Sequence, residues 1–147
     1  METSVSDAAL DALIPETCWV LLGKKSLGRV AVVVDGDIHV LPVNYALRQG
    51  RIILRSGSNS ILREAAPCKV TFEVDDIDET ARRGWSVSAK GILEEITGVA
   101  NEDPQLDTNS LDTWAPGSKP LVLEIRTTEV TGRYLYSTPS GTDGGPA

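Results

Sequence analysis

Residues 54–62 read Leu54-Arg55-Ser56-Gly57-Ser58-Asn59-Ser60-Ile61-Leu62, where an apolar strand ends, a small polar turn follows and a helical pattern begins. The serine and asparagine side chains can cap a helix, Gly57 lets a ligand approach the backbone, and Arg55 adds a positive charge. The segment therefore predicts a strand-turn-helix connection suited to an anion such as phosphate. Ordinary connections use the same residue types, so the turn alone leaves both interpretations open.

The distribution of charge favours the anion site. The chain has 14 Lys and Arg against 21 Asp and Glu, which gives a net charge of -7. Between positions 48 and 69, however, Glu64 is the single acid against Arg48, Arg51, Arg55, Arg63 and Lys69. A local positive field in an acidic chain indicates an anionic ligand, whereas the acidic total argues against nucleic acid as a partner.

Size and composition predict one domain over residues 1–136, followed by a flexible Gly- and Pro-rich tail at 137–147. No apolar run approaches the ~20 residues of a membrane span, and the first residues lack the features of a secretory signal. We therefore expect a cytoplasmic protein with no membrane partner. Cys18, Cys68 and the single His39 have no zinc-site spacing, and both cysteines are expected in the core. On a strand, His39 is expected to be structural rather than a proton donor.

Turn residues and hydrophobic periodicity predict a mainly β chain with short helices. We expect a capped helix through Leu10, Leu13 and Ile14, a second one opened by Pro15, and a third at residues 59–66. The predicted strands are 29–34, 38–46, 51–55, 68–74, 85–96 and 121–136. Pro42 cannot donate a ladder hydrogen bond, so its strand is expected to lie at an edge or to be distorted there, and Gly91 is a candidate bulge. Such an arrangement describes an antiparallel barrel or sandwich.

Seven short motifs, in this order, carry a resemblance to a known family. They are Leu27-Gly28-Arg29, Leu41-Pro42-Val43-Asn44-Tyr45, Arg55-Ser56-Gly57 with Ser60, Phe72-Glu73-Val74-Asp75-Asp76, Gly84-Trp85-Ser86-Val87, Trp114-Ala115-Pro116-Gly117 and Thr131-Gly132-Arg133. Over residues 6–136 the chain resembles the pyridoxamine 5'-phosphate oxidase-like, FMN-binding split-barrel family, especially its small actinobacterial members. The resemblance implies a six-stranded antiparallel split β-barrel that forms a homodimer, with two flavin sites between the subunits.

The resemblance also implies roles for individual residues. Backbone groups of Val43, Asn44 and Tyr45 would meet the pyrimidine edge of the flavin, and Ser56 with the following turn would hold its phosphate. Trp85 and Ser86 would lie beside the ring system, and Trp114 of the partner subunit would help to close the cleft. From the residues alone, core packing is an equally good interpretation of Trp85. The complete set of candidate cofactor-binding residues is Pro42, Val43, Asn44, Tyr45, Arg55, Ser56, Gly57, Ser60, Ile61, Arg63, Trp85, Ser86 and Trp114.

The chain departs from the family pattern at the phosphate. Family members that hold FMN usually have a lysine, often preceded by an arginine, where this chain has Ser60-Ile61. An isoleucine cannot neutralise a phosphate, so Arg55 or Arg63 would have to replace the lysine. Each charge-assisted hydrogen bond contributes on the order of 1.5–3 kcal/mol, and losing one weakens binding by about tenfold or more.

Three functions follow from these observations. The first is an FMN-binding oxidoreductase that transfers electrons or hydride between the flavin and a small substrate, with the redox chemistry belonging to the cofactor. No nucleophile, base and orienting group are recognisable together, and no catalytic side chain is assigned. The second is a reductase that uses a deazaflavin coenzyme, whose anionic tail would need Arg48, Arg51, Arg63 and Arg133. The third, favoured by Ile61, is a split-barrel dimer that binds no cofactor.

Overall fold

In the computed structural model, residues 8–57, 60–97 and 121–137 are described, with only the backbone for residues 8–10. They form strands and two short helices, and the bounds follow in chain order. The elements are β1 (Ala8–Leu13), α1 (Pro15–Leu22), β2 (Leu27–Val34), β3 (Asp37–Arg48), β4 (Arg51–Ser56), α2 (Ile61–Ala65), β5 (Cys68–Asp78), β6 (Arg83–Glu95) and β7 (Leu121–Ser137).

All strand pairings in this part of the chain are antiparallel, and six strands close a ring. The ring runs β7-β4-β3-β2-β5-β6 and returns to β7, which pairs with β6 along its length. This confirms the predicted split β-barrel of six strands. The division into one domain and a tail stays a prediction, since residues 138–147 lie outside the described residues.

The first segment differs from its prediction. Residues Ala8–Leu13 form β1, not a helix, and pair with the end of β7 from Ala8↔Ser137 to Leu13↔Gly132. Leu10 and Leu13 have helical spacing, but β7 extends past β4 and offers its backbone groups to another strand. Tertiary pairing therefore overrides a local pattern that a short segment cannot enforce alone.

The β2–β3 hairpin is built as the sequence predicts. Asp35 and Gly36 have φ angles of 53° and 82°, the positive pair that a two-residue type I′ turn requires. Pro42 lies opposite Arg29, and β3 begins to pair with β4 only at Tyr45. Because backbone groups alternate in direction along a strand, the nitrogen of Pro42 points away from β2. The ladder between β2 and β3 therefore loses no hydrogen bond at this residue. The edge position predicted for Pro42 is confirmed.

The predicted irregularity at Gly91 lies in the neighbouring strand. Lys90 pairs with Glu129 but Gly91 pairs with Thr127, so Thr128 is the extra residue. The Thr128 hydroxyl donates to the Lys90 carbonyl at 3.2 Å. A bulge occurs at the predicted position, therefore, but the inserted residue belongs to β7.

The core fills the barrel, and α1 covers one end of it. Cys18 and Leu22 of α1 are fully buried, and Cys68 is half-buried against the same core. Phe72 is also fully buried, and its ring meets Tyr45 edge-on with centroids 4.9 Å apart. The Tyr45 hydroxyl donates to the Leu22 carbonyl, and burial raises the pKa of Tyr45 to about 12, so this donor stays protonated.

None of the helices within the described ranges combines the length and the apolar character needed to cross a bilayer.

We expect Gly28→Ala to lower the free energy of unfolding by about 1–3 kcal/mol through overpacking. An added Cβ would lie 2.4 Å from Cζ of the fully buried Phe72 and 2.9 Å from Val74 Cγ2. The matched control is Gly23→Ala, whose Cβ would meet nothing closer than 3.4 Å; we expect a change within about 0.5 kcal/mol. Urea denaturation of both variants measures the difference. If the two variants lost equal amounts of unfolding free energy, the Phe72 ring would be shown to move aside without cost.

Candidate functional site

A row of outward-facing side chains crosses the barrel. Tyr45 and Leu54 face inward as a cross-strand pair, so the next positions, Asn44 and Arg55, face outward side by side. The register continues the row across the remaining strands. We call this set the outer row: Arg55, Asn44, Leu27, Asp75, Ser86 and Arg133.

The register supports each step of the outer row. Leu27 pairs with Asn44, Asp75 pairs with Ser86, and Ser86 pairs with Arg133. Asp75 lies two residues beyond the last β2–β5 pair, Arg29↔Glu73, and so stands opposite Leu27. From Arg55 to Ser86 the outer row therefore crosses five neighbouring strands, β4, β3, β2, β5 and β6.

The chemistry changes along the outer row. A cation and an amide occupy one end, exposed apolar surface from Leu27 and the adjacent Pro42 follows, and Asp75 and Ser86 are beyond it. Such a strip has a charged end, a polar edge and an apolar shelf. A flat, amphipathic molecule with an anionic group at one end fits that order.

Asn44 also anchors the linker that precedes β2. Its Nδ2 donates to the Ser26 carbonyl at 3.2 Å, and the Tyr45 backbone N–H donates to the same oxygen at 3.1 Å. The side chain of Tyr45 points into the core, so only its backbone lies at the surface. Val43 likewise packs against the core. The polar groups of this strand segment are therefore those of the backbone and of Asn44.

The serine-rich turn is closed by its own hydrogen bonds. The Ser60 backbone N–H donates to the Gly57 carbonyl at 3.2 Å, and Ser60 Oγ accepts from the Arg63 N–H at 3.2 Å, which makes Ser60 the cap of α2. A hydroxyl that accepts one bond still has its hydrogen to donate. Ser56 is only 7% exposed and lies on the inward side of β4. Ser58 and Asn59 lie outside the described residues.

The two candidate cations near the turn have different surroundings. Arg63 Nε lies 3.5 Å from Glu95 Oε1, so a carboxylate already offsets its charge. Arg55 is half-buried and occupies the end of the outer row beside Asn44. Ile61 is the first residue of α2 and is half-buried. Of the two arginines that could replace the missing lysine, Arg55 is therefore the one that belongs to the outer row.

The side chain of Trp85, which was expected beside the ring system, does not lie in the outer row. Trp85 faces inward, is 9% exposed and belongs to the core, as the alternative interpretation of the sequence had it. Its neighbour Ser86 faces outward in the outer row. Trp114 lies outside the described residues. The side chain of Trp85 could contact a ring at the surface only if this core opened.

A cleft that the sequence did not reveal lies between β2 and β5. The pairing of these strands stops at Arg29↔Glu73, although β2 begins at Leu27 and β5 continues to Asp78, so the strands separate. The resulting β2–β5 cleft has a volume of about 380 Å³. Its lining includes Lys24, Lys25, Leu27, Arg29, Pro42 and Asp75. The local sequence signal at this cleft is the pair Lys24-Lys25, which follows α1 closely.

Glu73 and Asp75 form a carboxylate pair beside this cleft. Arg29 Nη1 lies 3.1 Å from Glu73 Oε1 and 3.6 Å from Asp75 Oδ2. Burial, together with the hydrogen bond and the negative charge of Asp75, nevertheless raises the pKa of Glu73 to about 7, because these effects outweigh Arg29. Across the described ranges, no three His, Cys, Asp or Glu side chains are grouped as metal ligands would be.

Comparison with known proteins identifies similar sequences and structures. The family described as pyridoxamine 5'-phosphate oxidase matches residues 15–134. The FAD-binding protein from Mycobacterium smegmatis is 26% identical, with a TM-score of 0.65 over 86% of this chain and 98% of that one. A conserved protein of unknown function from Corynebacterium diphtheriae is 29% identical, with a TM-score of 0.69 over 88% and 98%.

A more distant structure extends the likeness of fold. An FAD-binding protein from Mesorhizobium loti has a TM-score of 0.71 over 88% of this chain and 99% of that chain, at 23% identity. At that identity it bears on the fold alone. No protein in the curated set matches significantly.

We expect Glu73 to titrate with a midpoint of about 7 in carboxyl-carbon NMR. Asp75→Asn should lower the midpoint, because it removes a like charge and a hydrogen-bond partner, and Arg29→Gln should raise it. Asp37→Asn, at the exposed end of the hairpin, is the control and should leave it unchanged.

The same titration links pH to stability. A raised carboxyl pKa gives a contribution to stability that is present below the ordinary pKa and lost as the pH rises through 7. The unfolding free energy of the wild type should therefore fall more steeply than that of Glu73→Gln between about pH 5 and pH 8. If the unfolding free energies of the wild type and of Glu73→Gln changed in parallel with pH, the raised pKa of Glu73 would be contradicted.

Proposed function

This chain belongs to the pyridoxamine 5'-phosphate oxidase family, and from that premise we propose that it is a flavin-dependent oxidoreductase that binds its flavin along the outer row. The observation that supports the proposal is that Asn44 and Arg55 both face outward, each one residue beyond the Tyr45↔Leu54 pair that joins β3 to β4. The FAD-binding protein from Mycobacterium smegmatis, which has the same fold, supports a flavin as the class of cofactor.

The residues of the outer row suit the parts of a flavin. The phosphate would lie at Arg55 and the turn, where Ser60 can donate its hydroxyl hydrogen while it caps α2. The flat ring system would lie on the exposed apolar surface of Leu27 and Pro42. Isoalloxazine is an apolar tricycle with polar atoms along one edge, so it needs a shelf of this kind with polar groups beside it.

The backbone of β3 would orient the ring. Tyr45 donates to Ser26, so the alternation of the ladder directs the backbone groups of Asn44 away from β2. The carbonyl of Pro42 points in the same direction, along the open edge of β3. These groups would meet the polar edge of the flavin. When bound, the flavin itself supplies the transfer of hydride or electrons to a small substrate, and the chain binds, positions and shields it.

FMN is our first choice among the cofactors because the outer row offers one arginine at its phosphate end. FAD is the second choice, on the evidence of the Mycobacterium smegmatis relative. A deazaflavin coenzyme with a longer anionic tail would need several cations. Two of those expected to serve it, Arg51 and Arg63, are paired with Glu124 and Glu95 at 3.0 and 3.5 Å.

A split barrel without a cofactor is the competing function. Two observations favour it: Ile61 occupies the position of the family lysine, and Trp85 is packed inside the core. In that case the outer row would serve recognition between proteins rather than redox chemistry. The two functions differ in whether purified protein binds a flavin.

We also propose that the protein is a homodimer. The β2–β3 hairpin carries an exposed apolar patch of Val33, Ile38 and Val40, which are 57%, 74% and 61% exposed. Val33 pairs with Ile38, so the three side chains share one face of the hairpin. Contiguous apolar surface of this kind is typical of an interface. The role of Trp114 in a partner subunit and the cytoplasmic location remain predictions.

The experiment that tests this function is a titration of the purified chain with FMN, FAD and the deazaflavin coenzyme, followed by fluorescence. We expect FMN to bind most tightly and Arg55→Gln to weaken it by about tenfold or more, since a charge-assisted contact is lost. Arg83→Gln, at an exposed arginine that is the first residue of β6 and not part of the outer row, is the matched control and should bind FMN normally. Absence of binding by all three compounds would favour the function without a cofactor.

We expect Ile61→Lys to tighten FMN binding by about tenfold, because it adds a cation where the family pattern has one. Ile61→Met conserves size without charge and serves as the control. The dissociation constants of both variants are compared with that of the wild type in the same fluorescence titration. Identical constants for Lys and Met would mean that the phosphate lies away from the first turn of α2.

A further inference from the structure

We propose that the β2–β5 cleft is a subsite for the carboxylate group of a small organic monoanion, and that such a molecule is the substrate of the oxidoreductase. The assignment to a substrate rests on the proposed function, whereas anion binding by the cleft does not depend on it. Three features carry the inference: the shape of the cleft, its charge balance and its position next to the outer row.

The shape follows from the way in which the two strands separate. Tyr45 donates to the Ser26 carbonyl, so by alternation the backbone N–H of Leu27 points to the β5 side. Pairing with β5 ends two residues later, at Arg29. The Leu27 N–H is therefore directed into the gap, where it can donate to an oxygen of a ligand. A volume of about 380 Å³ admits a small molecule.

The charge balance favours a single negative charge. Lys25 Nζ lies 3.6 Å from Asp76 Oδ2, and Arg29 is held by Glu73 and Asp75. No carboxylate among the described residues forms an ion pair with Lys24. Three cations and three carboxylates surround the cleft, and the carboxylates pair with Lys25 and Arg29. Lys24 is therefore the cation that can contact a ligand directly, and no surplus positive charge remains to offset a second negative charge. A dianion would meet Asp75 and Asp76 without enough compensation.

The position of the cleft explains why its ligand would be a substrate. Leu27 and Asp75 belong to both the cleft and the outer row, and Pro42 lines the cleft beside the proposed ring shelf. A carboxylate held near Lys24 would place the apolar body of its molecule against Leu27 and Pro42. That body would then lie next to a flavin on the outer row. The substrate class is a small carboxylic acid with an apolar portion.

The test is an amide NMR titration of the full-length chain with sodium benzoate, without flavin. Benzamide serves as the neutral analogue and phenyl phosphate as the dianion. We expect benzoate to shift the amide signals of Ser26, Leu27 and Gly28, benzamide to have no effect, and phenyl phosphate to bind no more tightly than benzoate. Lys24→Gln should weaken benzoate by about tenfold, and the exposed Lys90→Gln, outside the cleft, should not.

Two results would overturn the proposal: equal binding of benzoate and benzamide, or unchanged benzoate affinity in Lys24→Gln. Tighter binding of phenyl phosphate would overturn the preference for a monoanion. Flavin affinity, measured separately by fluorescence, distinguishes this failure from that of the proposed function. If flavin binds and benzoate does not reach the cleft, the subsite is wrong and the cofactor assignment stands. If benzoate binds and no flavin does, the cleft is an anion site but the assignment to an oxidoreductase substrate is overturned.

Discussion

The contact of the Phe72 ring with Gly28 fixes the arrangement on which the rest of the barrel depends. Phe72 of β5 occupies the space that a side chain at position 28 of β2 would need, and its edge meets Tyr45 of β3. The Tyr45 hydroxyl then reaches the last turn of α1 through Leu22. Three strands and the helix that closes the barrel are thus joined by one continuous set of buried contacts. Buried aromatic packing tolerates little displacement, so these contacts determine which strand registers are allowed.

The outer surface follows from that interior arrangement. Side chains alternate along a strand, so an inward Tyr45 requires an outward Asn44, and an inward Phe72 requires outward neighbours at Glu73 and Thr71. A shift by one residue would send every one of these side chains to the opposite face. The outer row and the β2–β5 cleft are therefore consequences of the register that Phe72, Gly28 and Tyr45 impose, and they need no separate stabilisation.

Local sequence patterns predicted the features that local chemistry controls. The Asp35-Gly36 turn, the edge position of Pro42 and the helix that begins at Pro15 all depend on the conformational limits of a few neighbouring residues. The β1 segment was predicted wrongly because its conformation is set by the distant end of β7. The candidate site was predicted in part: Asn44 and Arg55 lie together, whereas Trp85 faces the core. The cleft escaped prediction because Lys24 and Asp75 are far apart in sequence, and only the end of a strand pairing brings them together.

Charge pairing around the barrel limits what the surface can bind. Arg29, Lys25, Arg51 and Arg63 each lie within 3.0–3.6 Å of a carboxylate, so the charge of these four cations is already offset. The exposed pairs among these add little stability, but all four hold long side chains in place and reduce the local positive potential. A ligand with many negative charges would have to compete with these carboxylates, whereas one with a single charged end would not. The surface needs to offset only one small anionic group at each of two places. An acidic chain can therefore bind a mononucleotide flavin beside a monoanionic substrate.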